Sequence, residues 1–221
     1  MLRLQLPPRG ALAPNSDVDP LKYYYVPLLG RVFRARLDVG LGLLRPPHGG
    51  RFRRLLEVGY GSGLLLPTLR AVAERLDGID LESRPDVVRA ALARLGVTVD
   101  DLRQADVCSL PFENGRFDAV VAFSILEHLR AAPLRTALGE MARVLSPGGQ
   151  LLVGCPAVHR GMSLAFAAIG FRGIDDHHFS GIRDVLAAAR LVGLTVEKTA
   201  TLPRGAPLGW APYNAVLLRR E

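Results

Sequence analysis

A glycine-rich segment directly after a short apolar run constrains this chain more than any other feature of its sequence. Residues 55–58 read Leu-Leu-Glu-Val, and glycines follow at positions 59, 61 and 63 before a further apolar stretch. Glycine permits a sharp turn and lets a ligand approach the backbone where a Cβ would clash. The pattern predicts a strand, a tight loop and a helix, an arrangement suited to a nucleotide-like ligand. A plain structural turn uses the same residues, so the loop alone does not decide between the two.

Short apolar runs alternate with longer helical stretches after residue 50, as in βαβ units. This alternation predicts an α/β fold with a mostly parallel sheet. Predicted strands cover residues 55–58, 97–102, 117–123, 150–153, 194–199 and 213–218, with another that ends at 79–80. Predicted helices cover residues 64–75, 84–95, 129–145 and 181–191, and residues 158–178 form a variable insert.

The first 50 residues differ in pattern from the rest and are predicted to form an arm and a cap helix. Prolines at 7, 8, 14 and 20 prevent regular structure over residues 1–20, which we expect to be mobile or to lie along the surface. Helical spacing of apolar residues over 21–44 predicts an amphipathic helix that ends before residue 50. Residues 51–221 are then expected to form a single domain, because the chain is too short for two full α/β cores.

Three roles are open for this amino-terminal helix. Its Tyr23-Tyr24-Tyr25 run is able to close over a bound ligand as a lid, or to fasten the helix to the sheet edge. Alternatively, residues 28–44 lie on an anionic membrane, with arginines turned toward the lipid head groups, namely Arg31, Arg34 and Arg36. Peripheral membrane contact therefore stays open.

Composition excludes several classes of protein. Apolar residues make up 49% of the chain and charged residues 22%, which excludes a mainly disordered protein. Cys108 and Cys155 have no zinc-type spacing and cannot build a disulfide scaffold. No signal-peptide or membrane-spanning run is present, so we expect a cytoplasmic protein. The net charge of +7 comes from arginines spread along the sequence without a recognised binding motif, so nucleic acid is a disfavoured partner.

Asp80 ends the predicted second strand about 20 residues beyond the glycine loop. A carboxylate at that point is able to accept both ribose hydroxyls of an adenosine. Glu82 takes this role if the strand ends two residues later, and an ordinary turn residue is the alternative. The dinucleotide fingerprint GxGxxG is incomplete, since its third glycine falls on Leu64, so NAD is the second choice among nucleotide ligands.

Seven segments follow one another in an order that resembles the class I S-adenosylmethionine-dependent methyltransferases. They are Glu57-Val58-Gly59-Tyr60-Gly61-Ser62-Gly63, Gly78-Ile79-Asp80, Ala105-Asp106-Val107, Leu110-Pro111-Phe112, Phe117-Asp118, Leu126-Glu127-His128-Leu129 and Arg143-Val144-Leu145-Ser146-Pro147-Gly148-Gly149. The resemblance covers residues 55–153 and is of the kind called methyltransferase type 11. It implies a Rossmann-like seven-stranded sheet flanked by helices, with the last strand antiparallel, and S-adenosyl-L-methionine as cofactor.

The resemblance also implies a role for each residue of the cofactor site. Gly59, Gly61 and Gly63 would line the methionine part, and Glu57 would face its amino group. Asp80, with Leu81 beside it, would hold the ribose. Asp106 and Val107 would contact the adenine, and Ser124 and Ile125 would lie beside the sulfonium. Tyr60 is also expected among the cofactor-binding residues; it departs from the small residue or cysteine common in the family, and is expected to change the outer side of the loop.

Methyl transfer from a sulfonium requires mainly alignment of the acceptor, the methyl group and the sulfur. A base is needed only for a hydroxyl or a protonated amine. His177 and His178 are the first candidates for that base, and His128 is the next. A helix cap or a loop polar cluster explains the paired histidines equally well. No metal site is predicted, since the adjacent residues of Asp175-Asp176-His177-His178 seldom all point at one centre.

The acceptor is expected to be an oxygen or nitrogen of a small molecule or of a lipid- or sugar-linked intermediate. Pro212-Tyr213-Asn214 does not reproduce the Asn-Pro-Pro-Tyr type of motif, which argues mildly against base or glutamine methylation. Two alternatives remain: a non-catalytic cofactor-binding partner subunit, and an NAD-dependent reductase. The sequence does not indicate an oligomeric state.

Overall fold

The structure, a computed structural model of the chain, describes residues 1–15, 19–47, 50–157 and 178–221. Its regular elements in chain order are a 3-10 helix Pro20–Tyr25, α1 (Leu29–Leu41), β1 (Phe52–Val58), α2 (Leu66–Arg70), β2 (Ala73–Asp80), α3 (Pro85–Arg94), β3 (Asp101–Gln104), β4 (Phe117–Phe123), a 3-10 helix Leu126–His128, α4 (Ala131–Val144), β5 (Leu145–Pro156), α5 (Ile182–Leu191), β6 (Leu194–Leu202) and β7 (Tyr213–Arg220).

The seven described strands form one sheet in the order β3-β2-β1-β4-β5-β7-β6. The first five strands are parallel, and β7 is antiparallel to both β5 and β6. The predicted Rossmann-like α/β fold is thus confirmed. The strand order reverses between β1 and β4, and the loops that follow their carboxyl ends meet there, which is the usual ligand site of an open parallel sheet.

Helices cover both faces of the sheet and bury two hydrophobic clusters. One cluster packs α1, α2 and α3 against the sheet through side chains such as Leu37, Leu69 and Leu92. The other packs α4 and α5 through Met141 and Val185. With both faces covered, β4 is almost wholly apolar, and this is why it was predicted with its observed limits.

The described part of the amino-terminal arm is held along the surface by hydrogen bonds. The Leu4 amide donates to Asp38 of α1 at 2.7 Å, and the Gln5 amide donates to Thr68 of α2 at 2.9 Å. The helix predicted over 21–44 is wrong in one respect, because it is broken into the 3-10 helix and α1. Pro27 disfavours a helical conformation at the residue before it, and Val26 is indeed extended with ψ 133°.

Three other predicted boundaries are wrong for reasons of sheet pairing. The helix predicted to residue 75 ends at Arg70, because Ala73 already pairs with Phe52 as the first residue of β2. The third strand is Asp101–Gln104 rather than 97–102, in register with the end of β2. Strand β5 begins at Leu145, where that residue pairs with Phe117, and its register shifts before Gln150. Among the described residues, no helix combines the length and apolar composition that crossing a bilayer requires.

Candidate functional site

The glycine loop between β1 and α2 has the backbone that its sequence predicted. Gly59, Gly61 and Gly63 all have positive φ, at 76°, 52° and 86°. A Cβ at Gly59 would overlap the side chain of Ile125, and one at Gly63 would lie 2.8 Å from Val88. Other residue types would therefore be strained at all three positions and would also clash at two of them.

Asp80 lies at the end of β2, as predicted, and its carboxylate braces the glycine loop. One oxygen accepts from the Gly61 amide at 2.8 Å, and the other accepts from the amides of Glu82 and Ser83 at 2.9 and 2.8 Å. A carboxylate offers about four acceptor positions, so these bonds leave about one for a ligand. Glu82 and Leu81 are exposed beside it, Leu81 to 61%. Glu82 is therefore placed to share any ribose contact with Asp80.

Glu57, near the end of β1, is a buried carboxyl group with an unsatisfied oxygen. It is 3% exposed, and its Oε2 has no hydrogen-bond partner among the described residues. Burial, followed by the nearby charge of Asp80, raises the pKa of Glu57 well above its ordinary value. A buried acceptor without a partner is costly, so this atom is a place where a ligand donor would bind favourably.

The sequence suggested that Tyr60 shapes the outer side of the glycine loop, but the structure shows that it does not. Its side chain is 3% exposed, and the ring lies against Gly78 of β2, where a Cβ would come within 3.0 Å of it. The ring is turned inward because Gly78 leaves a space over the sheet that an apolar surface fills. The expected effect of Tyr60 on the outer side of the loop is therefore wrong.

The loops after β3 and β4 complete this edge of the sheet. The Ala105 amide donates to the Asp80 carbonyl at 2.9 Å, which holds the β3 loop beside the end of β2. In that loop Asp106 is exposed and accepts from the Cys108 amide at 2.8 Å, while Val107 is buried. After β4, Ser124 has a φ of 55°, and Ile125 packs at Gly59. The predicted cofactor residues thus lie on adjoining loops.

Two of the three candidate bases lie close together in the structure. His128 and His178 lie together, with ring centroids 5.0 Å apart, although 50 residues separate them in sequence. One oxygen or nitrogen atom each of Glu127, His128 and His178 lie within 4.8 Å of one another. His177 lies outside the described residues, as do Asp175 and Asp176. Two of the three predicted bases are therefore neighbours, and the carboxyl group of Glu127 lies beside them.

A buried polar cluster beside these residues was not predicted. It joins Arg36 and Tyr24 of the amino-terminal region to Glu127 and Tyr213, and burial raises the pKa of Glu127 to about 8 against the opposing effects of its own amide, Arg36 and Ser124. One of the three roles left open for the amino-terminal helix turned Arg36 toward lipid head groups, and its contacts with three aromatic rings contradict that placement. No pattern along the chain predicts the cluster, because Tyr24, Arg36, Glu127 and Tyr213 belong to four separate elements.

Comparison with known proteins gives this geometry a context. Residues 56–153 match a family model described as a methyltransferase domain. A ubiquinone biosynthesis O-methyltransferase from Methylocella silvestris is 32% identical over 73% of this chain and 61% of its own length. A demethylmenaquinone methyltransferase from Thermus thermophilus is 33% identical over 53% of this chain and 51% of its own length. The chain thus spans less than two thirds of these curated relatives.

Solved structures give the same fold at lower identity. The N-methyltransferase NodS from Bradyrhizobium japonicum, in complex with S-adenosyl-L-homocysteine, superposes with a TM-score of 0.65 at 20% identity, covering 93% of this chain and 94% of that one. The [4+2]-cyclase SpnF superposes with a TM-score of 0.65 at 22% identity, covering 85% of this chain and 82% of that one. Since proteins with these two names share the fold, the fold by itself does not decide the reaction.

Proposed function

We propose that this chain, whose residues 56–153 match a methyltransferase domain model, is a class I S-adenosylmethionine-dependent methyltransferase that transfers a methyl group from S-adenosylmethionine to an oxygen atom of a small-molecule acceptor. The observation that carries the proposal is the buried, unsatisfied carboxyl oxygen of Glu57 directly below the glycine loop. The ammonium group of a methionine moiety is a donor that suits this atom. A plain structural turn has no need of such an atom.

The residues around the loop fit the rest of the cofactor. Glycines 59, 61 and 63 have positive φ and no side chains, so they leave the backbone open to the methionine part. Asp80 and Glu82 offer acceptors to the ribose. Exposed Asp106 offers an acceptor to the adenine amino group, with Leu81 and the backbone of Val107 beside the ring. Ser124 and Ile125 border the methionine end. When bound, S-adenosylmethionine supplies an electrophilic methyl group on a positively charged sulfur.

The protein contributes mainly alignment and the removal of a proton. Alignment of reacting groups supplies on the order of 7–11 kcal/mol of barrier lowering in favourable cases. A hydroxyl acceptor must also lose a proton, and a positioned base accelerates that step by about 10²–10⁴-fold. Glu127 and His128 follow β4 directly, and His178 offers a nitrogen within 4.8 Å of both, so these three groups are the candidate bases. The names of the relatives favour a quinone-type acceptor, methylated on oxygen.

Calorimetric titration tests the cofactor part of this proposal. We expect S-adenosylmethionine and S-adenosylhomocysteine to bind and NAD not to bind. Asp80→Asn replaces an acceptor of the Gly61 amide with a group able to present a donor, and should weaken cofactor binding at least tenfold. The exposed Asp86→Asn of α3 is the matched control and should bind like the wild type. Failure of both sulfur compounds to bind would refute the proposal.

A methyl-transfer assay then separates an enzyme from a non-catalytic partner subunit. Methyl-labelled S-adenosylmethionine would be incubated with hydroxylated aromatic acceptors, their amino analogues and a lipid extract. We expect label in the hydroxylated compounds. Cofactor binding without transfer to any acceptor would support the non-catalytic alternative instead.

A further inference from the structure

Arg36 lies outside the matched methyltransferase domain, on α1, yet its side chain reaches toward the same edge of the sheet. Its guanidinium lies 4.5 Å from the ring centre of Phe33, 5.6 Å from that of Tyr24 and 5.7 Å from that of Tyr213. One Nη atom donates to the Tyr24 hydroxyl at 2.8 Å. Its Nε is buried and has no hydrogen-bond partner among the described residues. The Nε–H group of Arg36 is therefore a buried donor that remains unused.

Glu127, which follows β4, has a buried acceptor without a partner, as Arg36 has a buried donor without one. It is 1% exposed, and its Oε2 has no hydrogen-bond partner among the described residues. Its carbonyl oxygen accepts from the amides of Phe179 and Ser180 at 2.7 and 3.2 Å, so this turn is held in place. Glu127 therefore retains one unused acceptor at a defined position.

The two groups belong to one electrostatic cluster and do not form an ion pair within the described part of the chain. Burial lowers the pKa of Arg36, but Tyr24, Tyr213 and, least, Glu127 raise it overall; burial raises the pKa of Glu127, and Arg36 opposes this rise. Tyr213 adjoins both, and its hydroxyl lies 3.4 Å from that of Ser124. Because Ser124 precedes Ile125, which packs at Gly59, the cluster borders the proposed methyl-donor site.

A hydroxyl group satisfies both unused atoms, since it donates to a carboxylate and accepts from a guanidinium N–H. A protonated amine has donors only, leaves the arginine unsatisfied and is repelled by its charge. Building on the proposed function, we propose that Glu127 is the general base and Arg36 the oxyanion-binding residue for an acidic hydroxyl acceptor, a phenol or an enol. The amino-terminal helix then supplies a residue of the acceptor site and is more than a cover for the sheet.

The step balances with these two residues and the donor. The acceptor O–H bond breaks, and its proton passes to the Glu127 carboxylate while Arg36 stabilises the oxyanion. The oxygen lone pair then forms the O–C bond to the methyl group, as the C–S bond breaks with its electron pair remaining on sulfur. The proton on Glu127 is afterwards lost to solvent, so the net products are the methyl ether, neutral S-adenosylhomocysteine and a proton.

The ionisation of Glu127 depends on several groups that face it. They are Arg36, Ser124, Tyr213, Cys155, His128 and His178. Because burial raises the pKa of Glu127 to about 8, the fraction of enzyme with a competent base increases as pH rises to that value. We therefore expect kcat/KM to rise with pH and to level off above about pH 8. A base with this pKa is well matched to an acidic hydroxyl near neutral pH.

The first test measures probe binding and does not depend on turnover. 4-Nitrocatechol would be titrated into the protein saturated with S-adenosylhomocysteine, since its absorption spectrum reports ionisation. We expect it to bind as the phenolate, and Arg36→Met to raise its Kd at least tenfold. The exposed Arg31→Met on the same helix is the control and should leave the Kd unchanged. Equal affinity of the wild type and Arg36→Met, or no binding by either, would overturn the role of Arg36.

The second test follows methyl transfer to catechol and to benzylamine, an amine that is protonated near neutral pH. Glu127→Gln should lower kcat with catechol by about 10²–10⁴-fold and abolish the rise with pH, whereas the exposed Glu113→Gln should retain it. Benzylamine should be a poor acceptor for the wild type, because its ammonium group is repelled by Arg36. A rising pH profile retained by Glu127→Gln, or activity lost to EDTA and restored by a divalent cation, would overturn the role of Glu127 as a base.

Failure of this inference differs from failure of the proposed function. If S-adenosylhomocysteine binds and the Arg36 and Glu127 variants behave like the wild type, only the acceptor-site assignment is refuted. If S-adenosylhomocysteine does not bind, the methyltransferase proposal itself is refuted.

Discussion

Replacement of Glu127 by glutamine is expected to stabilise this protein at alkaline pH. The folded state raises the pKa of this buried carboxyl from 4.5 to about 8. The folded protein therefore binds a proton that the unfolded chain releases between these two values, and the free energy of unfolding falls as pH rises from about 4.5 to about 8. Above about pH 8 the cost of ionisation is fully present. Glutamine has nearly the same shape and does not ionise.

The magnitude follows from the shift itself. A change of about 3.5 pKa units corresponds to about 5 kcal/mol of ionisation cost above pH 8. About 2 kcal/mol of this cost is already present at pH 6, so the stability difference between Glu127→Gln and the wild type should grow by about 2–3 kcal/mol between pH 6 and pH 9. In a chain of this size, that corresponds to a rise of about 5–10 °C in relative Tm.

Urea denaturation followed by circular dichroism at pH 6, 7, 8 and 9 measures this difference directly. Glu113→Gln makes the same chemical change at an exposed turn, and its difference from the wild type should be nearly constant over this range. If the difference for Glu127→Gln is equally constant, the carboxyl is not held neutral by burial, and the reasoning about its pKa is wrong. A variant that gains stability but loses methyl transfer would identify Glu127 as a residue that serves function at the expense of stability.

Two further substitutions test the fold around the site. Gly59→Ala should destabilise the protein or abolish cofactor binding, because its Cβ would overlap Ile125. Gly10→Ala is the control, since Gly10 has a similar φ of 82° and open space around it. Calorimetry and thermal melting of both variants separate the effect of the clash from that of backbone strain. Leu37→Ala should lower the free energy of unfolding by about 2–5 kcal/mol, since Leu37 is 2% exposed on α1, whereas Val32→Ala at 56% exposure should change it by less than about 0.5 kcal/mol in urea denaturation. Equal losses at positions 37 and 32 would contradict the packing of α1 on the sheet.

The sequence by itself determined those features that depend on neighbours along the chain. The apolar run of β4 predicts a strand with its observed limits, because a central strand is buried on both faces. The spacing of the three glycines predicts a loop with positive φ values, since only glycine adopts them readily. The end of β2 at Asp80 was predictable for a similar reason, because a buried apolar strand gives way there to polar residues.

Tertiary structure decided the features that depend on partners distant in sequence. Ala73 belongs to β2 and not to the preceding helix because its strand pairs with β1. Helical periodicity identified α1 as amphipathic, but did not show that Arg36 lies among aromatic rings near Glu127, 91 residues away along the chain. A carboxyl group acquires its raised pKa, and an arginine its unused donor, only when folding removes both from water. The local pattern therefore specifies the loop that suits a methyl donor, whereas the packing of the amino-terminal helix against the sheet creates the polar cluster beside it.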